Sequence, residues 1–136
     1  YYEPDLQLKF VNNLLKLANT SIDISDGLID DLKKMINRQS VSFHIFEKKI
    51  PISNTLSQLI EIRKLRKIDI TSKGDDYQIL FTANPIKSRI IKRISNNTGI
   101  KITKIGKIIS GKNKSKIINI KNKQIEAKNK GYIHQF

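Results

Sequence analysis

The sequence predicts an α/β domain, or α+β in the broader sense, in which helices flank a mixed β-sheet to make three layers. Segments with the 3.6-residue period of a helix alternate with segments that have the two-residue period of a strand. Their order is α-β-α-β-α-β-α-β, followed by short strands, and this alternation is typical of layered folds. A chain of 136 residues can bury an adequate core without disulfides, and this chain has no cysteine.

Four helices are predicted, and three of them begin at a recognisable cap. Asp5 opens the first, the third has candidate caps at Ser53, Asn54 and Thr55, and Asn84 precedes a proline at the start of the fourth. The second begins near Asp26. The helices are predicted over residues 5–19, 26–38, 54–65 and 85–98, the last with Ile86, Ile90, Ile91 and Ile94 toward the core.

Seven strands are predicted from alternating or β-branched segments that turn residues bound. The strand over residues 41–46 ends before the Ile50-Pro51 turn, and Gly99 separates the fourth helix from a strictly alternating strand over residues 100–105. The others are predicted over residues 21–25, 77–82, 107–109, 117–120 and 124–127.

A short motif, Asp23-Ile24-Ser25-Asp26-Gly27-Leu28, joins the first predicted strand to the second helix. In a strand, Asp23 and Ser25 would point to one face and Ile24 to the other. Two carboxylates and a hydroxyl beside the positive end of a helix suit a hard cation and phosphate oxygens. Alternatively, Ser25 caps the helix and Asp26 complements its dipole, which leaves Asp23 unexplained. Both interpretations stay open at this point.

The formal net charge of +14 raises nucleic acid as a partner. Residues 101–130 contain ten lysines and one acid, Glu126, but the lysines alternate with isoleucine as solvent-facing strand positions would. The chain is rich in Lys, Asn and Ile together, a composition that an A+T-rich coding sequence favours. We therefore favour solvated lysine faces. The alternative is a non-catalytic basic module that binds nucleic acid through residues 101–130, and such a complex would weaken steeply with salt.

Several other kinds of site are excluded by the sequence. It contains neither a Walker-type glycine loop nor a dinucleotide fingerprint. His44 and His134 lack metal-ligand spacing. The absence of cysteine excludes thiol chemistry and fits a reducing, cytoplasmic setting. No apolar run approaches the roughly 20 residues that would cross a bilayer.

Three motifs, read together, resemble a known kinase family. The first motif is the one at residues 23–28. The second is Gly74-Asp75-Asp76-Tyr77-Gln78-Ile79-Leu80-Phe81-Thr82, and the third is Gly131-Tyr132 followed by His134. Taken alone, the first residues of the second motif would indicate a solvated turn. Together, the three motifs resemble the carboxyl-terminal half of thiamine-monophosphate kinase, in the aminoimidazole-ribotide synthetase-like superfamily. The family pattern is Asp-Ile-Ser-Asp-Gly-Leu, then Gly-Gly-Glu-Asp-Tyr-Glu-Leu-Leu-Phe, then Gly-aromatic-x-His-Phe.

This resemblance implies an ATP-dependent transfer of phosphate to thiamine monophosphate, giving thiamine diphosphate, with magnesium as cofactor. It implies that Asp23 and Asp26 are magnesium ligands and that Ser25 contacts ATP. Asp75 stands where the family has a substrate-contacting glutamate, and Tyr132 where it has a substrate-contacting aromatic residue. The sequence departs from the pattern at Lys73, Asp75, Gln78 and Gln135.

The resemblance also implies a domain organisation. Residues 1–4 are predicted to be a linker from a missing amino-terminal domain, and residues 5–136 the carboxyl-terminal domain. Most of the family's metal-binding aspartates, and much of the interface of an expected homodimer, would lie in the missing part. Because phosphoryl transfer depends on positioning and charge neutralisation, we expect the isolated chain to fold without measurable kinase activity.

Overall fold

The structure is a computed structural model, and it describes residues 8–72 and 78–126. Within these residues no helix is long and apolar enough to cross a membrane. Single 3-10 turns lie at Glu47–Lys49 and Pro85–Lys87. The helices are α1 (Leu8–Leu17), α2 (Leu28–Ile36), α3 (Asn54–Ile62), α4 (Lys67–Thr71) and α5 (Ser88–Thr98), and the strands are β1 (Ala18–Asp23), β2 (Val41–Phe46), β3 (Ile79–Ala83), β4 (Gly106–Ser110), β5 (Lys116–Ile118) and β6 (Gln124–Ile125).

The strands form two sheets. β1 and β3 pair antiparallel, in a register that places Asp23 opposite Ile79. The larger sheet has the strand order β4-β2-β5-β6, in which β2 is parallel to β5 and the other pairs are antiparallel. The predicted fold class, an α/β domain with a mixed sheet and flanking helices, is therefore confirmed.

The core lies mainly between one face of α2 and one face of β2. Ile68 of α4 is 0% exposed, and its backbone N–H donates to Glu47 Oε1 at 3.0 Å, so a buried carboxylate fixes the start of that short helix. On α1, Phe10 packs on Phe81 of β3 with ring centroids 5.7 Å apart. The core cluster consists of Ile24, Leu28, Ile29, Leu32, Ile36, Phe43, Ile45, Ile50, Ile68 and Ile117.

Several predicted boundaries are confirmed. The strand over residues 41–46 is β2. Ser53 caps α3, because its side chain accepts a hydrogen bond from Leu56 N at 3.2 Å. Gly99 ends α5 in the left-handed conformation, with φ 71°. These features follow from local pattern and cap chemistry, which explains why the sequence alone predicts them.

Other predicted strands are wrong or shifted. The first strand covers Ala18–Asp23 rather than residues 21–25, so Ser25 lies beyond it. Residues 100–105, all of which the structure describes, form no strand. Their burial alternates only as far as Thr103, because Thr103 and Lys104 are both exposed and Ile105 is half-buried. Strand pairing with β2 begins at Gly106, and before it a single hydrogen bond joins Phe46 N to Ile105 O, at 2.9 Å.

The predicted helix over residues 85–98 is partly wrong. Pro85–Lys87 is a 3-10 turn, and the α-helix starts only at Ser88. Ile86, in that turn, is 82% exposed, and Ile90 is 44% exposed, whereas Ile91 and Ile94 of the same helix are half-buried. The prediction that Ile86 and Ile90 face the core is therefore wrong. The short helix α4 was not predicted at all. It depends on tertiary contacts of Ile68, which no local pattern reports.

Replacing Leu32 tests the position of the core. Leu32→Ala should lower the free energy of unfolding by about 2–5 kcal/mol, because the 2% exposed side chain leaves a cavity on truncation. Leu15→Ala is the matched control, since that leucine is 81% exposed and its loss should change stability by less than about 0.5 kcal/mol. Urea unfolding followed by circular dichroism measures both, and equal effects would contradict this core.

Candidate functional site

The candidate site is built on the loop of residues 24–27, between β1 and α2. Asp23 ends β1 and is exposed, whereas Ile24 is buried in the core. Ile24 N donates to Gln78 O at 2.9 Å, which continues the pairing of β1 and β3 by one step. The described part of the second motif, residues 78–82, thus lies beside the first motif, although the two are far apart in the sequence.

Asp31, on α2, holds this loop in shape. Its Oδ2 atom accepts hydrogen bonds from three successive backbone N–H groups, those of Ser25 at 2.9 Å, Asp26 at 2.9 Å and Gly27 at 3.2 Å. The Asp31 side chain is only 1% exposed. Successive N–H groups of this kind form a concavity that binds an anion, and here the anion is the protein's own carboxylate.

Lys34 completes the network. Its ammonium group donates to Asp31 Oδ1 at 2.8 Å and also to the Asp26 carboxylate. Burial opposes ionisation of Asp31, but the hydrogen bonds from Lys34 and from the loop backbone outweigh it, so the pKa of Asp31 lies below its ordinary value. The hydrogen bonds to Asp26 and Asp31 raise the pKa of Lys34. Asp31 and Lys34 are therefore both charged at neutral pH.

Gly27 brings the loop against a second chain segment. It has φ 118° and ψ 149°, a conformation open essentially to glycine alone. A Cβ atom at this position would lie 2.5 Å from the backbone oxygen of Ser72. Ser72 is 2% exposed, and its Oγ atom has no hydrogen-bond partner among the described residues. Gly27 thus packs against Ser72, which precedes the second motif by two residues in the sequence.

The side chains of the predicted metal ligands are accessible from solvent to different degrees. Asp23 is exposed, and the Asp26 side chain is 30% exposed beside Lys34. Across residues 8–72 and 78–126, no group of three or more His, Cys, Asp or Glu residues could hold a metal ion. Because Mg²⁺ usually takes one or two protein carboxylates and completes its shell with phosphate and water, Asp23 and Asp26 fit a contribution to such a site.

Comparison with known proteins decides the family, although no family model matches. A thiamine-monophosphate kinase from Aquifex aeolicus is 36% identical over 83 residues, 60% of this chain and 27% of the relative. One from Buchnera aphidicola subsp. Schizaphis graminum is 34% identical over 124 residues, 89% of this chain and 37% of the relative. A solved structure described as AaThiL complexed with AMPPCP and TMP matches with a TM-score of 0.69 and 30% identity, over 97% of this chain and 38% of that one. The chain belongs to the thiamine-monophosphate kinase family.

The family assignment confirms the resemblance carried by the three motifs. The chain spans about a third of the curated thiamine-monophosphate kinases that it matches, from 27% to 38% of their length. Of the predicted site residues, the structure places Asp23, Ser25 and Asp26 within one short stretch. Asp75 and Tyr132 lie outside the described residues.

One sequence interpretation of this stretch is wrong, and one residue was missed. Ser25 is not a helix cap, since α2 has no side-chain cap and Ser25 instead donates its backbone N–H to Asp31. The missed residue is Asp31, which is buried. A signal was present, because Asp31 lies on the same face of α2 as Leu28 and Met35, at spacings of three and four residues, where a carboxylate is unexpected.

Removing the Asp31 charge should destabilise the fold in a pH-dependent way. Asp31→Asn should lower the free energy of unfolding at pH 7 by about 2–4 kcal/mol, because a buried, charge-assisted network loses its acceptor. An unfolded aspartate has a pKa of about 3.9, so the contribution is complete above that pH and is lost as pH falls through the lower folded-state pKa. Urea unfolding between pH 2 and 7 measures it. Asp30→Asn is the control, and an equal loss there, or a constant difference at all pH values, would contradict the assignment.

Substitutions at Gly27 and Gly99 compare the cost of a steric clash with the cost of backbone strain alone. Gly27→Ala should cost at least about 3 kcal/mol, since it combines a forbidden conformation with a clash at Ser72 O. Gly99→Ala should cost only about 1–2 kcal/mol, because Gly99 is in the left-handed helical conformation, which is less costly for alanine than that of Gly27, and a Cβ atom there would meet nothing within 4 Å. Thermal or urea unfolding compares them. Equal losses would show that the approach of Gly27 to Ser72 contributes nothing.

Proposed function

We propose that this chain forms the nucleotide-facing and metal-facing part of a kinase that transfers phosphate from ATP to thiamine monophosphate, giving thiamine diphosphate in thiamine biosynthesis. One observation carries the proposal. The loop of residues 24–27, fixed by the Asp31 carboxylate, carries the half-buried Asp26 three residues after the exposed Asp23, which ends β1. The likeness to a structure described as complexed with AMPPCP and TMP supports ATP and thiamine monophosphate as the substrates.

In this proposal Asp23 and Asp26 bind magnesium, and Ser25 contacts ATP. A bound magnesium ion would neutralise charge on the phosphates during transfer. Asp31 acts through the others, because it orients the backbone of residues 25–27 and so positions the Asp26 carboxylate and the Ser25 hydroxyl. Asp75 and Tyr132 are proposed as contacts to thiamine monophosphate, on the resemblance of the second and third motifs.

We also propose that residues 5–136 correspond to the carboxyl-terminal domain of the kinase, with residues 1–4 as a linker, and that the whole enzyme is a cytoplasmic homodimer. Two observations support an incomplete site in this chain. It spans 27% to 38% of the length of its relatives, and its described residues offer no cluster of three potential ligands. The isolated chain is therefore proposed to be inactive.

The test restores the rest of the enzyme. A chimera that joins the amino-terminal part of the Aquifex aeolicus kinase to residues 1–136 is assayed with ATP, magnesium and thiamine monophosphate. We expect turnover by the chimera and none by residues 1–136 alone. In the chimera, Asp23→Asn and Asp26→Asn should each lower kcat/KM by about 100-fold or more, because each removes a ligand from the site of charge neutralisation.

Asp30→Asn is the matched control for the chimera. Asp30 lies on α2 near the same loop but pairs with Lys33, at 3.0 Å, in an exposed position. It should leave kcat/KM nearly unchanged. Turnover by residues 1–136 alone would refute the incomplete site, and equal activity of the Asp26→Asn chimera and its parent would refute the role of Asp26.

A further inference from the structure

The ammonium group of Lys34 lies in an unusual place. Lys34 belongs to the last turn of α2, where a cation is favourable, yet its side chain reaches back toward the loop before the helix. It meets Asp31 at the ordinary helical spacing of three residues, at 2.8 Å, and then also the carboxylate of Asp26, which is outside the helix. The helix dipole disfavours a cation near the amino-terminal end of α2, so the carboxylates of Asp26 and Asp31 must hold the Lys34 ammonium group there.

The two carboxylates that hold Lys34 differ in how accessible they are to a cation from solvent. Asp31 has one oxygen filled by three backbone N–H groups, and its side chain is 1% exposed. The Asp26 side chain is 30% exposed, and that of Lys34 is 51% exposed. A cation from solvent can therefore reach Asp26, and it cannot reach Asp31 without opening the loop.

We propose that Lys34 is a resident counter-cation of Asp26, which a divalent ion must displace, so that Lys34 sets the metal affinity of this site. The proposal rests on the proposed role of Asp26 as a metal ligand. An ion pair as exposed as that of Asp26 and Lys34 is weak, so displacement is feasible. After leaving Asp26, Lys34 keeps its hydrogen bond to Asp31, and the buried carboxylate never loses its cation.

Lys33 provides a matched control on the same helix. It is the neighbouring lysine, its side chain is 60% exposed, and it pairs with Asp30 at 3.0 Å rather than with the loop. Lys34→Met and Lys33→Met each remove one positive charge and keep a similar apolar stem. Any general effect of net charge on cation binding will therefore be equal in the two variants.

The experiment measures Mn²⁺ binding to the chimera with the restored amino-terminal part, because this chain is proposed to hold only part of the site. The readout is the electron paramagnetic resonance signal of free Mn²⁺. Lys34→Met should bind Mn²⁺ roughly threefold or more tightly than the parent chimera, because the competing cation is gone. Lys34→Gln should show the same gain in Mn²⁺ affinity as Lys34→Met, and it replaces that variant in the experiment if Lys34→Met folds poorly. Lys34→Arg, which keeps the charge, and Lys33→Met should bind as the parent chimera does. Asp26→Asn should weaken binding, and Lys34→Met should give no gain in that background.

The outcomes separate this inference from the proposed function. If Asp26→Asn weakens Mn²⁺ binding while Lys34→Met and Lys34→Gln leave it unchanged, Asp26 is a ligand and the role of Lys34 is refuted. If Lys34→Met gains affinity equally with and without Asp26, the effect is general electrostatics and the inference is again refuted. If Asp26→Asn changes nothing, or no variant binds Mn²⁺, the metal role of Asp26 falls and the inference falls with it.

Discussion

The candidate site depends on the burial of one carboxylate, that of Asp31. A carboxylate that is 1% exposed carries a large desolvation cost, which is tolerable only when its lone pairs are satisfied. Three backbone N–H groups and the ammonium of Lys34 satisfy them. The same bonds fix the backbone of residues 25–27. The same hydrogen bonds thus stabilise the fold and set the geometry of the loop. The loop cannot change shape without exposing Asp31 to solvent or removing its hydrogen-bond partners.

Because Gly27 has no side chain, the loop of residues 24–27 can pack against the backbone of Ser72. Because a Cβ atom would clash with Ser72 O at 2.5 Å, only glycine lets the two segments come together. On the other side of the loop, Ile24 N is bonded to Gln78 O at 2.9 Å. The first motif therefore lies against Ser72, two residues before the second motif, and is hydrogen-bonded to Gln78 within it.

The sequence predicts those parts of the molecule that depend on local chemistry. The limits of β2, the Ser53 cap and the left-handed Gly99 belong to this class. Where the outcome depends on a distant partner, the prediction fails. Alternating residue types over residues 100–105 are not enough for a strand without continuous pairing, and residues 85–87 form a 3-10 turn rather than the start of α5. In the site, residue types and spacing identify Asp23, Ser25 and Asp26, but not the bonds of Asp31, because those require the loop to fold back over α2.

The local charges near this loop oppose the charge of the whole chain. Four of the twelve acidic residues lie within residues 23–31, in a chain with a formal net charge of +14. Such a basic protein attracts polyanions in general, whereas this stretch is one of the few places on it that attract cations. Asp31 cannot serve an external ion, since its oxygens are committed to the loop and to Lys34. The carboxylates that remain for an ion are those of Asp23, Asp26 and Asp30. Asp30 pairs with Lys33, and Asp26 is the one whose availability depends on where Lys34 lies.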